Sequence, residues 1–138
     1  MCFARPAEFT RMSNGSTELI ILCISSIAGV EYLPAPTSYS VAKSALNAYV
    51  KSISFPLAKD KIRINSVSPG NIYFEGSVWS KKMEKSPDLV KSMLKDNVPL
   101  EKFGTPEDVA NLVVWLSSDL SNFVTGSVMT SDGGQTRS

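Results

Sequence analysis

The sequence contains no histidine. Without an imidazole, Ser-His-Asp and Cys-His nucleophile relays are excluded, and most transition-metal catalysis loses its commonest ligand. Acid–base work must fall to tyrosine, lysine or a carboxylate. Cysteine is scarce: Cys2 and Cys23 form no metal-binding spacing, and Cys23 sits inside an apolar run where a buried, inert thiol is expected. Nothing in this usage points to an oxidising compartment. Net charge is almost absent, with 14 Lys and Arg against 13 Asp and Glu. There is thus no electrostatic case for nucleic acid or an anionic membrane. The longest apolar run, Leu19 to Ile24, falls far short of the roughly 20 residues of a membrane-spanning helix. Residues 1–18 lack the hydrophobic segment of a secretion signal, so the chain reads as soluble and cytoplasmic.

The 138 residues suit a single domain, 1–138, able to bury about 68% of its extended surface. Leu19 to Ser25 has the pattern of a strand covered on both faces in a parallel sheet. From about Ser38 to Ala58 the residues Val41, Ala45, Leu46, Tyr49, Val50 and Ile53 form an apolar stripe, which predicts a long helix. Pro56 should kink or fray its last turn. Ile62 to Val67 reads as a second strand, stopped at Pro69-Gly70. Strand, helix and strand make a βαβ unit. Residues 71–86 look irregular, resembling a lid, and a short helix is expected from Pro87 to Asp96 with Ser86 as its cap. Thr105-Pro106-Glu107-Asp108 opens another helix, to about Ser118, with the two acids read as helix-start charges. A last strand is expected over Val124 to Thr130.

Tyr39 and Lys43 stand four residues apart in the run YSVAK, and on a helix they share one face. An ammonium beside a phenol favours the ionised phenol, which is how a tyrosine enters proton transfer near neutral pH. By itself Tyr-x-x-x-Lys is weak evidence, so its surroundings decide. Ser26 stands thirteen residues before Tyr39, within Ile24-Ser25-Ser26-Ile27-Ala28-Gly29. Downstream come Ile62-Arg63-Ile64-Asn65, Ser68-Pro69-Gly70, Gly104 to Ala110, Thr125-Gly126 and Asp132-Gly133-Gly134. In this order the motifs resemble the catalytic half of the short-chain dehydrogenase/reductase family, over residues from about 19 to 134.

The resemblance implies an α/β fold, a partial Rossmann sheet of about three parallel strands with flanking helices. It implies NAD(P)-dependent hydride transfer on a small carbonyl or alcohol substrate, with NAD or NADP as cofactor. Tyr39 would be the general acid or base, and Lys43 would also hold the nicotinamide ribose. Ser26 would donate to the substrate oxygen, or alternatively serve only as a strand-end cap. Pro69, Gly70 and Ile72 would lie against the nicotinamide, while Phe74 occupies a place where the family often has a threonine. Tyr73, Phe74 and Trp79 form either a substrate wall or plain lid packing.

The glycine-rich Thr-Gly-x-x-x-Gly-x-Gly turn that cradles pyrophosphate in the family does not occur in this sequence. The chain accordingly reads as a truncated half, with cofactor binding impaired, and residues 2–12 read as the end of a preceding helix. The strand at 19–25 would then lack a neighbour on one side. Two readings follow: part of an NAD(P)-dependent oxidoreductase that forms homo-oligomers, or an inactive half-domain docking on an intact homologue.

Overall fold

A computed structural model describes residues 2–4 and 19–137. Four strands form one sheet in the order β1-β2-β3-β4: Cys2–Ala4, Leu19–Ile24, Ile62–Pro69 and Val128–Ser131. Strands β2, β3 and β4 run parallel. The α/β class with three parallel strands and flanking helices therefore matches the sequence-based expectation.

The central strand explains the layering. In β3 six successive residues, Arg63 to Ser68, are buried, as a strand covered on both faces requires. Alternate side chains divide between two layers. On one face Ile64 packs with Cys23 of β2 and Val50 of α1, Thr37–Lys59. On the other, Val67 packs with Leu22 and with Leu116 of α4, Pro106–Leu116. The shorter helices α2, Val78–Lys85, and α3, Pro87–Asn97, lie between β3 and α4 in sequence.

Several expectations are corrected. Residues 2–4 are extended, not helical, and pair antiparallel with Ile21 to Cys23, so three positions of the β2 edge are covered. The rest of the expected helix end, 5–12, lies outside the described residues. Helix α1 carries Pro56 and continues to Lys59. The stretch read as irregular holds α2, started by Ser77, whose hydroxyl accepts from the Ser80 amide at 3.0 Å. Ser86 joins α2 to α3 without a side-chain cap bond. The last strand begins only at Val128, because the Asn65 side chain occupies the stretch before it. That amide donates to the Val124 carbonyl at 2.9 Å and accepts from the Ser127 amide at 3.0 Å. The Thr105 helix start is borne out: Thr105 and Asp108 form a reciprocal capping box, and Thr105's amide and hydroxyl hold the Asp108 carboxyl below its usual range.

Among the described residues, no helix is long and apolar enough to cross a membrane, and no cluster of acids and cysteines could hold a metal.

Candidate active site

Parallel strands bring the C-terminal ends of β2 and β3 to one edge of the sheet, the edge where open α/β folds bind ligands. Ser26 follows β2 there, and Gly70 follows β3. The Ser26 hydroxyl accepts from the Ala28 amide at 3.2 Å and caps the 3-10 turn Ile27–Gly29. A hydroxyl has one donor and two acceptor sites, so this cap leaves its proton free for another oxygen. The cap and the catalytic reading of Ser26 are compatible.

Helix α1 is held unusually close to this turn. A Cβ on Gly29 would stand 2.6 Å from the Lys43 carbonyl carbon and 2.7 Å from its Cβ, so only glycine permits the approach. Hydrogen bonds then strap the two segments together. Ser25 Oγ donates to the Lys43 carbonyl at 3.2 Å, and Lys43 Nζ donates to the Ile24 carbonyl at 2.9 Å. The Gly29 carbonyl accepts from Ser44 Oγ at 3.2 Å and from Asn47 Nδ2 at 3.1 Å. Asn47, buried at 6% exposure, also accepts from Ser66 Oγ at 3.0 Å, tying α1 to β3. Asn47 escaped the sequence reading because a buried asparagine looks like any polar position on a helix.

One turn before Lys43, Tyr39 is 44% exposed, with the Lys43 ammonium 5.7 Å from its ring centroid. Ser26, Tyr39 and Gly70 line one groove of about 770 Å³. Its other wall comes from α2 and α3, including Trp79, Lys82, Lys85, Leu89, Val90 and Met93. Lys43 stands behind Tyr39 rather than in the groove wall, and Pro69 and Ile72 lie outside the wall as well. Ile72 forms an isolated parallel bridge with Gly104. That bridge is made by the neighbouring Asn71 carbonyl and Tyr73 amide, and Ile72's own peptide groups have no partner among the described residues. Of the three aromatics singled out, only Trp79 lines the groove; Tyr73 packs on Phe103 at 5.6 Å, and Phe74 is exposed.

Directly after β4, Asp132 closes the last turn. Burial raises its carboxyl, but the Thr136 hydroxyl and the amides of Thr136, Gly134 and Gln135 outweigh this and hold it below its usual value.

The family described as enoyl-(acyl carrier protein) reductase matches residues 3–136. The chain belongs to the short-chain dehydrogenase/reductase family. Among family relatives, the 3-oxoacyl-(acyl-carrier-protein) reductase of Thermotoga maritima is 35% identical over 124 residues, which cover 90% of this chain and 46% of that protein. An isoepoxydon dehydrogenase of Aspergillus clavatus is 37% identical over 120 residues, 86% of this chain and 46% of the relative. Among solved members, a 4-hydroxyisoleucine dehydrogenase complexed with NADH is 33% identical with a TM-score of 0.78, over 88% of this chain and 48% of that one. The chain thus spans about half the length of the short-chain dehydrogenase/reductase relatives it matches.

The residues present fit the nicotinamide end of a dinucleotide. An ammonium has three donors, and Lys43 spends one on the Ile24 carbonyl. The free amide and carbonyl of Ile72 match the donor and acceptor that a carboxamide needs.

Proposed function

We propose that this chain forms the catalytic half of an NAD(P)-dependent oxidoreductase that moves a hydride between a nicotinamide and a carbonyl or alcohol carbon. The observation that carries this reading is the single groove wall shared by Ser26 and Tyr39, with Lys43 strapped behind the phenol. In the reducing direction the Tyr39 hydroxyl gives its proton to the carbonyl oxygen as hydride reaches the carbon, and in the reverse direction Tyr39 takes the alcohol proton. The Ser26 hydroxyl donates to the same oxygen and stabilises charge developing on it. The nicotinamide, when bound, supplies or accepts the hydride. Lys43 holds the ribose hydroxyls with its remaining donors, and Ile72 and the Pro69-Gly70 turn hold the carboxamide.

Titration with NADH or NADPH, followed by nucleotide fluorescence, tests the cofactor, and Tyr39→Phe tests the chemistry. Saturable but weakened binding is expected, because the sequence lacks the glycine-rich turn that cradles pyrophosphate. Turnover in Tyr39→Phe should fall by at least about 100-fold, with cofactor affinity changed less than about twofold. Retained turnover contradicts the proton-donor role.

A second reading, an inactive half that docks on an intact homologue, is favoured by the apolar residues α1 leaves exposed: Val41 at 62%, Tyr49 at 54% and Phe55 at 71%. Absence of saturable nucleotide binding at millimolar concentration would select it.

A further inference from the structure

We infer that Lys82 and Lys85 make one wall of the groove an anion-recognition site, so that the substrate joins an apolar body to a carboxylate or phosphate remote from its reacting carbon. The identity of the substrate rests on the function proposed above; the binding of an anion does not.

Both lysines line the groove, and no aspartate or glutamate among the described residues does. Their spacing of three places them on one face of α2, where like charges repel unless an anion lies near them. The same helix also carries Lys81 and Glu84, and neither of these lines the groove. Helix α2 thus presents two of its cations to the groove and keeps its carboxylate out of it. Cations are favoured at a helix C-terminus, which accounts for their sign but not for this division. Lys82 is also positioned: its ammonium lies 4.4 Å from the ring centroid of Trp79, itself a groove residue. Neither ammonium has a carboxylate partner among the described residues. The same groove is lined by Leu89, Val90 and Met93, apolar side chains that suit a hydrocarbon body. A volume of about 770 Å³ holds a ligand of that build.

Isothermal titration with octanoate, octyl phosphate and octanamide tests the site directly. The three share one chain, so differences report the head group. At least one anion should bind about tenfold tighter than octanamide, and the preference should shrink in high salt. Whichever of octanoate and octyl phosphate binds tighter identifies the group recognised. The preference should vanish in Lys82→Gln/Lys85→Gln and persist in Lys82→Arg/Lys85→Arg, which keeps the charge. Octanamide binding as tightly as both anions, or a glutamine pair that keeps the preference, overturns the site. Selective anion binding without any nucleotide-dependent turnover would support the site and contradict the function proposed above. Turnover of neutral substrates with no anion preference would do the reverse.

Discussion

The two walls of the groove are assembled by different means. The wall with Ser26, Tyr39 and Lys43 is joined backbone to backbone through Gly29, reinforced by the Ser25, Lys43, Ser44 and Asn47 side chains. In the facing wall, α2 buries only Ser80, and α3 buries Val90 and Leu94. Trp79 of helix α2 packs on Phe103, ring centroids 5.4 Å apart. On the function proposed above, the difference separates two tasks. Groups that move a proton must be fixed to within a fraction of an ångström, whereas a wall that selects substrates can be light and changeable.

The same substitution in each wall sharpens the contrast. Gly29→Ala should cost about 3 kcal/mol in chemical denaturation, because its Cβ meets backbone that cannot yield. Asn47→Leu comes next, at about 2 kcal/mol, since it strands the buried Ser66 hydroxyl and removes one of the two bonds to the Gly29 carbonyl. Gly76→Ala, in the loop leading to α2, should cost only about 1 kcal/mol: its φ of +80° penalises a side chain, but nothing stands within 4 Å. Equal losses at Gly29 and Gly76 would break the comparison.

The smallest effect concerns Asp132. Its folded pKa lies below the unfolded one, so it contributes stability that is complete above the unfolded value near 4 and disappears as pH falls through the folded value. The stability difference between the wild type and Asp132→Asn should be under about 1 kcal/mol at neutral pH, given the group's exposure, and should shrink below about pH 4. A difference that grows on acidification contradicts this assignment.

What could be read from the sequence divides along the same line. The fixed wall was legible because the apolar run from Leu19 writes a strand and Leu46, Val50 and Ile53 of the α1 stripe pack inward, although Val41, Ala45 and Tyr49 stay exposed, and the spacing of Ser26, Tyr39 and Lys43 placed them on neighbouring elements. The capping box at Thr105 was legible because its chemistry is local. Helix α2 was not, because an eight-residue helix with only Ser80 buried writes no apolar stripe. Lys82 and Lys85 could not be assigned to the groove without it. The Gly29 contact and the Asn47 bridge were hidden for another reason: each joins segments far apart in sequence, and a single residue carries no periodic signal.

A crystal structure of the protein with NAD(P) and a bound ketone tests the central claim most directly. Ser26 Oγ and Tyr39 Oη should both lie within about 3.2 Å of the ketone oxygen, with Lys43 Nζ on the ribose. A ketone oxygen contacting neither hydroxyl, or Tyr39 turned out of the groove, would contradict it.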